Sequence, residues 1–210
     1  MTSKRLFDFF GSALLLGATA PVFAACAAVI KATSKGPVFF RQERLGLNGK
    51  VFRIFKFRTM VDNAAAQGTG DITFKTDPRI TRVGRMLRDY RLDELPQLLN
   101  VLRGEMSLVG PRPLLPKFLH AYSEYDRRRL EVMPGMTGWQ QVNGASNNSW
   151  EERVDHDVWY VDHQSLLLDL KILFKTVAVV VRPTNVYGDD GKQLSGVPTS
   201  ARAEIEANRN

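Results

Sequence analysis

Two adjacent carboxylates, Asp93 and Glu94, are the side chains of this 210-residue chain best placed for catalysis. They precede an apolar helical pattern with Pro96 in its first turn, so we expect them at or just before a helix amino terminus. There the simplest interpretation makes Asp93 a helix cap and Glu94 a neighbour that complements the helix dipole. An ionised aspartate can also attack phosphorus when the charge of the substrate is neutralised, and both interpretations stay open.

Basic side chains at three places in the chain could supply that neutralisation. Lys56 and Arg58 share one face of a predicted strand. Arg112 lies between Pro111 and Pro113, which stiffen the backbone that carries its guanidinium. A basic stripe recurs every third residue of a predicted helix and contains Arg82, Arg85, Arg88 and Arg91. Two interpretations of these cations stay open. They could bind phosphate, or those on the strand could be solvated strand-end charges and those of the stripe could form a helix face that lies on anionic lipid.

Other patterns that could carry chemistry are weaker. Asp155 and Asp157 match the Asp-x-Asp motif of metal-dependent glycosyltransferases, but residues two apart on a helix point roughly 200° apart. His156 and His163 could share a helix face, yet no third ligand accompanies them, so no zinc site is predicted. The sequence contains neither a P-loop nor a nucleic-acid-binding motif, so we expect no nucleic acid partner.

Composition narrows the class of protein. The chain has 29 Lys and Arg against 22 Asp and Glu, a formal charge of +7, which favours an anionic partner such as acidic lipid or a phosphorylated small molecule. The single cysteine, Cys26, excludes an intrachain disulfide. The length suits one domain with a sizeable core and excludes a large two-domain enzyme.

An apolar segment near the amino terminus has the composition of a membrane helix. Residues 13–30 carry no charge and would span about 27 Å as a helix, slightly less than a hydrocarbon core of roughly 30 Å. Pro21 lies inside this segment and predicts a kink. Basic residues on both sides mark both ends as cytoplasmic: Lys4, Arg5, Lys31 and Lys35. We predict a re-entrant membrane helix over residues 1–31 that is broken at Pro21. A conventional span is the close competitor, and a signal peptide or a buried hairpin are further alternatives.

The remainder of the chain predicts an α+β fold that is mainly helical with one small β-hairpin. Residues rich in β-formers flank Asn48-Gly49, a dipeptide that accepts the positive φ of a tight turn. Helical patterns begin at Thr81 and dominate thereafter. We therefore predict a cytosolic domain over residues 32–182. The Gly/Asp/Ser/Pro-rich residues 183–210 are predicted to form a flexible carboxyl-terminal tail.

In order and spacing, five short motifs resemble the bacterial sugar transferases, the monotopic phosphoglycosyl transferases of the small single-domain type. They are KFRTM at 56–60, LDELPQ at 92–97, GPRP at 110–113, PGMTGW at 134–139 and QVNG at 141–144. The likeness extends from about residue 4 to residue 182. It implies transfer of a sugar 1-phosphate from a UDP-sugar to undecaprenyl phosphate, with release of UMP, as the first membrane step of glycoconjugate biosynthesis.

The resemblance also implies roles for individual residues. In that family the aspartate of the Asp-Glu pair is the nucleophile, here Asp93, and polyprenyl phosphate attacks the covalent phosphosugar intermediate that it forms. Glu94 matches the partner carboxylate, which is implied to position or deprotonate groups in the second half-reaction, and Mg²⁺ at Asp93 is the implied metal. Pro21 matches the helix-breaking proline of the family. The implied phosphate-binding cations are Lys56, Arg88 and Arg112. The implied location is the bacterial inner membrane, in contact with its lipid, with the catalytic domain facing the cytoplasm; a homo-oligomer is left open.

Two positions depart from the family pattern. Ala20 stands where many members have a serine whose hydroxyl could bond the carbonyl freed by Pro21. Ala145 stands where many have an arginine, so a sugar or phosphate contact is lost and the identity of the sugar is not carried over. Two other functions remain as alternatives: an Asp-x-Asp glycosyltransferase that would release UDP, and a basic membrane-binding protein without enzymatic activity.

Overall fold

A computed structural model of the chain describes residues 2–64, 73–74, 76–144, 148–181, 198 and 201. The fold is α+β and mainly helical, as predicted. The helices and strands described, in chain order, are α1 (Ser3–Thr33), β1 (Phe39–Leu45), β2 (Val51–Phe57), α2 (Arg82–Asp89), α3 (Gln97–Arg103), β3 (Ser107–Val109), α4 (Glu124–Arg127), β4 (Gly135–Thr137), α5 (Trp139–Asn143), α6 (Trp150–His163) and α7 (Leu166–Val181).

The predicted hairpin is confirmed. Strands β1 and β2 pair antiparallel from Phe39↔Phe57 to Leu45↔Val51. The turn between them contains Asn48 at φ 54° and Gly49 at φ 76°, the left-handed conformation that this dipeptide adopts at low cost. Alternation along the strands puts every second side chain on the same face, and one of these faces forms a wall of the site described below.

Helix α1 is the one helix among the described residues that is long and apolar enough to cross a membrane. It stays helical through Pro21, so the predicted break is not confirmed. A proline removes only one N–H donor, and the hydrogen bonds of the neighbouring turns can keep the backbone helical. The Thr19 hydroxyl donates to the carbonyl of Leu15 at 2.7 Å, so it does not serve the Gly17 carbonyl that Pro21 leaves free.

Both ends of α1 contact the rest of the protein. Near the amino terminus, α1 lies against α3 and β3. Near the carboxyl terminus, Cys26 and Ile30 are buried in a cluster with Phe57 and Leu87. The large apolar side chains that α1 leaves exposed include Phe10 and Leu14. Helix α1 therefore lies along the domain and presents its remaining apolar surface outward.

A second, parallel pair of short strands was not predicted. Strand β3 pairs with β4 at Ser107↔Gly135 and Val109↔Thr137. The pair is packed into a core that also receives Ile54, Tyr160 and Ile172. Three-residue strands carry too few side chains to show a period-two pattern, so the sequence offered no signal for them. The predicted tail lies outside the described residues except for 198 and 201, and its flexibility stays a prediction.

Candidate functional site

A cavity of about 420 Å³ lies between the β1–β2 hairpin, the segment after α2 and the Gly110–Pro113 motif. Among the described residues, eight Lys or Arg side chains line it against three carboxylates. The basic residues are Arg44, Lys56, Arg58, Arg79, Arg88, Arg91, Arg112 and Arg153, and the acidic ones are Asp62, Asp93 and Glu94. An excess of positive charge in a concave site attracts anionic ligands, above all phosphates.

The two predicted catalytic carboxylates lie in a short 3₁₀ turn between α2 and α3. Arg91 adopts φ 55°, a left-handed conformation that turns the chain into the Leu92–Glu94 segment. Helix α3 starts only at Gln97, with Pro96 before it and no side-chain cap. The interpretation of Asp93 as a helix cap was therefore wrong, because the chain turns once more between this residue and the helix. The turn instead directs both carboxylates into the cavity.

Glu94 is bound by two of the predicted phosphate-binding cations. Its Oε1 accepts hydrogen bonds from Lys56 Nζ at 2.8 Å and from Arg112 Nη2 at 2.7 Å. Burial by itself would raise the pKa of Glu94, but the charges and hydrogen bonds of Arg112 and Lys56 outweigh it and hold this pKa well below its usual range. Glu94 is therefore ionised at neutral pH and fixes the positions of both cations.

Asp93 has the opposite environment. Its side chain is 9% exposed, and within the part of the chain that the structure describes its carboxylate accepts no hydrogen bond. Burial raises the pKa of Asp93 to about 6, with Lys56 lowering it and Glu94 raising it. Two adjacent carboxyl groups whose pKa values are pushed apart can take different chemical roles. Asp93 is largely ionised at pH 7 and has lone pairs free to attack an electrophile.

The third predicted cation, Arg88, also lines the cavity. Its Nε donates to the Thr59 hydroxyl at 2.8 Å, which fixes the guanidinium beside Asp93. The fold thus brings Lys56, Arg88 and Arg112 together around Asp93. The predicted basic stripe is divided: Arg82 and Arg85 of α2 are exposed to solvent, whereas Arg88 at the end of α2 and Arg91 beyond it line the cavity.

Arg58 lines the same cavity but has a structural contact as well. Its guanidinium donates to the Ser34 carbonyl at 3.0 Å, to the Ser34 hydroxyl at 2.7 Å and to the Lys35 carbonyl at 2.5 Å. Arg58 therefore ties the end of α1 to the hairpin. It was predicted to share a strand face with Lys56, with phosphate binding as one of two interpretations. Within the described residues, its hydrogen bonds are made to the backbone and side chain that follow α1.

Several lining residues were not identified from the sequence. Phe40, Gln42 and Arg44 all line the cavity and share one face of β1, where Phe40 lies opposite Lys56 in the register. The hairpin prediction together with period-two alternation could have found them. Arg153 and Gln140, from α6 and α5, reach the cavity from distant parts of the chain, and no local pattern indicates them.

The weaker motifs do not form sites in the described part of the chain. Asp157 is buried and ion-paired with Arg129, whereas Asp155 is exposed, so the two carboxylates do not converge. His163 stacks on Trp159 with ring centroids 4.3 Å apart. The described residues contain no group of three or more His, Cys, Asp or Glu arranged to hold a metal ion. Ala145 lies outside the described residues.

The donor set of the cavity fits one kind of metal site. Magnesium is commonly held by one or two carboxylates, with water and substrate phosphates completing its shell. Asp93 offers a carboxylate without a hydrogen-bond partner among the described residues, whereas Glu94 Oε1 is taken by Lys56 and Arg112. The site therefore fits a Mg²⁺ ion that arrives with a phosphorylated ligand and does not fit an all-protein metal cage.

Comparison with known proteins gives one consistent result. Residues 1–183 match the family model described as bacterial sugar transferase. The chain is 49% identical over 181 residues to an uncharacterized sugar transferase, EpsL, of Bacillus subtilis, covering 86% of this chain and 88% of that protein. It is 43% identical to an undecaprenyl-phosphate glucose phosphotransferase of Komagataeibacter xylinus, over 89% of this chain and 37% of that protein.

A third relative also exceeds the chain in length. The chain is 41% identical to an undecaprenyl-phosphate galactose phosphotransferase of Salmonella typhimurium, over 88% of this chain and 41% of that protein. The chain thus spans most of EpsL and about two fifths of the two phosphotransferases.

Proposed function

This chain belongs to the bacterial sugar transferase family, and from that membership we propose that it is a phosphoglycosyl transferase that moves a sugar 1-phosphate from a UDP-sugar to undecaprenyl phosphate and releases UMP. Relatives named as undecaprenyl-phosphate glucose and galactose phosphotransferases support the lipid acceptor and the class of reaction. The observation that carries the proposal is Asp93, a buried carboxylate without a hydrogen-bond partner among the described residues, in a cavity with an excess of cations.

In the first step, a carboxylate oxygen of Asp93 attacks the phosphorus atom that is bonded to the sugar. The bond from this phosphorus to the bridging oxygen breaks, and UMP leaves with the electron pair. The sugar phosphate remains on Asp93 as a covalent acyl phosphate. Arg88, Lys56 and Arg112 surround the carboxylate and offset the charge that collects on the phosphoryl oxygens.

In the second step, a phosphate oxygen of the lipid acceptor attacks the same phosphorus atom. The bond to the carboxylate oxygen of Asp93 breaks, which regenerates the free carboxylate and forms the lipid diphosphosugar. Because UMP departs before the lipid phosphate arrives, the cavity never holds both leaving and entering dianions. One phosphate linkage replaces another, so the reaction needs no separate source of phosphoryl energy.

Glu94 serves in this scheme as a positioning group. A carboxylate whose pKa lies well below its usual range is a weak base, and a phosphate dianion needs no deprotonation before it attacks. The contacts of Glu94 with Lys56 and Arg112 at 2.8 and 2.7 Å instead hold two cations at fixed positions. We therefore assign Glu94 the task of keeping the phosphate-binding groups in place through both steps.

Magnesium completes the proposal. Asp93 and the diphosphate of the donor would hold the ion, which when bound supplies charge neutralisation for the departing phosphate. The cations of the protein, above all Arg88 and Arg112, bind the remaining phosphate oxygens. Lys56 joins them from the hairpin.

The apolar α1 and the family membership indicate that the protein associates with a membrane. Lys4 contacts Asp169 at one end of α1 and Ile30 packs with Phe57 near the other, so both ends touch the same catalytic body. A body confined to one face of a bilayer requires both ends of α1 on that face. We propose a monotopic arrangement on the cytoplasmic side of the inner membrane, where the lipid phosphate lies at the level of the cavity.

The decisive experiment measures the nucleotide product. Full-length protein in lipid nanodiscs is incubated with a panel of UDP-sugars, undecaprenyl phosphate and Mg²⁺, and UMP and UDP are quantified. We expect UMP together with a lipid diphosphosugar, and an Asp155→Asn control should retain this activity because that carboxylate is exposed and outside the cavity. Release of UDP would support the Asp-x-Asp alternative, and release of neither nucleotide would support a non-enzymatic membrane-binding protein.

Topology is tested separately. A Thr2→Cys substitution in a Cys26→Ala background places a single thiol at the start of α1. In the monotopic arrangement a membrane-impermeant thiol reagent labels this cysteine only in inside-out vesicles. Labelling in right-side-out vesicles would contradict the arrangement and indicate a true crossing.

A further inference from the structure

The first two turns of α1 carry three charged side chains that turn toward the domain. Lys4, Arg5 and Asp8 begin a helix whose following turns are apolar. Asp8 is only 3% exposed, and the neighbouring Ser12 is fully buried. A buried carboxylate on an otherwise apolar helix is costly unless its hydrogen bonds are satisfied. The contacts that satisfy it therefore indicate what this charge does.

Asp8 binds the strand that precedes Arg112. Its Oδ1 accepts from the Leu108 backbone N–H at 3.0 Å and from the Ser107 hydroxyl at 2.9 Å. Lys4 Nζ donates to the Val109 carbonyl at 3.2 Å and to Asp169 Oδ2 at 2.6 Å. Side chains of α1 thus contact three consecutive residues of β3.

Strand β3 needs this support. It has three residues and, in the described part of the chain, one strand neighbour, β4, and so short a pair is marginal by itself. Asp8 accepts the Leu108 N–H in the place where an additional strand would supply a carbonyl. The close approach is possible because residue 11 is glycine: a Cβ there would lie 2.8 Å from Leu108 Cδ1. Helix α1 therefore substitutes for a strand at the open edge of β3.

The chain runs from β3 directly into Arg112. Gly110 N–H donates to the Thr137 carbonyl at 2.9 Å, and the Pro111 carbonyl accepts from Gly135 N–H at 2.9 Å. The two prolines that flank Arg112 restrict the backbone further. A displacement of β3 is therefore passed on to the guanidinium, which contacts Glu94 at 2.7 Å.

The same turns of α1 also hold α3, the helix that follows the catalytic pair Asp93 and Glu94. Arg5 donates to the Val101 carbonyl at 2.6 Å and to the Leu102 carbonyl at 2.8 Å, at the carboxyl end of α3. Helix α3 follows Glu94 after two residues. The start of α1 thus binds both the strand before Arg112 and the helix after Glu94.

From these contacts we propose that Asp8 is a positioning residue for the transfer reaction, which fixes β3 and thereby aims Arg112 at Glu94 and at the substrate phosphate. The role of Asp8 rests on the proposed function, because the step that Arg112 aids is the attack of Asp93 on the sugar-linked phosphate. The membrane helix is thus part of the catalytic architecture as well as an anchor.

A double-mutant cycle tests this role. Full-length protein in nanodiscs is mixed with UDP-sugar in the absence of lipid acceptor, and the rate of phosphosugar attachment to the Asp93 peptide is measured by mass spectrometry. Asp8→Ala should slow labelling by about 30-fold, since displacements near 1 Å have effects of this order. In an Arg112→Ala background the same substitution should slow labelling by less than about 2-fold, because residues acting through one contact are not additive.

Two further variants separate positioning from folding. Asp8→Asn keeps an oxygen that accepts from Leu108 N–H and Ser107 Oγ, so we expect labelling within about 3-fold of the parent. Thr33→Val, the matched control, removes an exposed α1 hydroxyl whose hydrogen bond is made to Val29 within the helix, and should leave the rate unchanged. If Asp8→Ala does not accumulate in membranes, Ser107→Ala takes its place in the cycle with a smaller effect of about 5-fold and the same lack of additivity.

The outcomes distinguish the two proposals. If the parent is labelled and the rate effects of Asp8→Ala and Arg112→Ala multiply in the double variant, the positioning role is overturned and the proposed function stays intact. An unchanged rate in Asp8→Ala would do the same. If the parent itself gains no phosphosugar while it releases UMP in the presence of acceptor, the covalent step is wrong, and the role of Asp8 in that step is overturned with it.

Discussion

Two buried aspartates of this protein have opposite surroundings. Asp169 is fully buried, and its carboxylate accepts from Tyr160 Oη at 2.7 Å and pairs with Lys4 Nζ at 2.6 Å. Asp93 is 9% exposed and, within the described residues, accepts no hydrogen bond, and burial raises its pKa to about 6. Among the described residues, the Asp169 carboxylate in the scaffold is thus ion-paired and hydrogen-bonded, whereas the Asp93 carboxylate in the cavity accepts no hydrogen bond.

The same contrast holds beyond these two residues. Asp157 pairs with Arg129 in a buried position outside the cavity. In the cavity, the basic side chains that the structure describes outnumber the described carboxylates by eight to three. Paired buried charges maintain the fold, because removing one partner leaves the other desolvated and uncompensated. A buried carboxylate such as Asp93, without a hydrogen-bond partner among the described residues, costs stability and marks a place for ligand chemistry.

Asp93→Asn should give the largest difference between an effect on catalysis in the cavity and an effect on the stability of the scaffold. It should abolish covalent labelling and lower turnover by more than about 1,000-fold, because the amide is not a nucleophile toward phosphorus. The melting temperature should stay the same or rise, because the substitution removes a buried charge without a hydrogen-bond partner among the described residues. UMP release and thermal unfolding of the same preparation measure both effects. Retained labelling, or a clear fall in melting temperature, would contradict the division of roles.

Removal of Mg²⁺ should slow the reaction in the cavity and leave the stability of the scaffold unchanged, without any substitution. Chelation with EDTA should slow phosphosugar labelling by at least about 100-fold, because a bound metal offsets the charge of the departing phosphate. The melting temperature should be unchanged, since buried scaffold carboxylates such as Asp169 and Asp157 are held by Lys, Tyr and Arg side chains and need no metal. Addition of Mg²⁺ in excess of EDTA is the control and should restore the rate. Full activity in EDTA would refute the magnesium proposal.

Asp169→Ala tests the scaffold side. It leaves the ammonium of Lys4 without its carboxylate partner and the Tyr160 hydroxyl without one acceptor, so we expect a loss of about 3 kcal/mol in the free energy of unfolding. Denaturant unfolding in detergent measures this loss. Asp162→Ala, which removes an exposed carboxylate paired with Arg128, is the control and should unfold like the parent. An equal loss in both variants would show that burial of the pair is not the cause.

Arg112→Lys should have the smallest effect. Lysine keeps a positive charge beside Glu94 but lacks the planar fork that binds phosphate oxygens in pairs, so we expect labelling about 10-fold slower. The melting temperature should hardly change. Arg128→Lys, at an exposed position outside the cavity, is the matched control and should label at the parent rate. A parent-like rate in Arg112→Lys would mean that charge alone suffices at this position.

Local chemistry made part of the site predictable. The motifs at 56–60, 92–97 and 110–113 contain Lys56, Asp93, Glu94 and Arg112, and the fold brings these side chains together in one cavity, where their roles stay predictions. The hairpin was predictable because Asn48-Gly49 suits a left-handed turn whatever surrounds it. The helix-cap interpretation of Asp93 failed because the left-handed Arg91 and the late start of α3 are set by packing.

The contacts of Lys4 and Arg5 show the limit most directly. The sequence placed these cations as markers of the cytoplasmic face, which their position before an apolar segment justifies. The structure pairs Lys4 with Asp169 and directs Arg5 to the end of α3, contacts made with residues about a hundred or more positions away. A periodic pattern reports on neighbours within a few turns, so it contains no information about such partners.

The sequence alone predicts a membrane-associating helix, a β-hairpin, the protein family and a set of residues for phosphate chemistry, because each of these depends on side chains close together in the chain. Only the tertiary structure decided that Glu94 accepts hydrogen bonds from two cations while Asp93 accepts none from the described residues, that β3 is held by α1, and that Phe40, Arg44 and Arg153 share the cavity. These features depend on which distant elements pack together and on the water that this packing excludes. Exclusion of water shifts the pKa of a buried carboxylate, and it requires the polar groups of a buried strand to find partners in the protein.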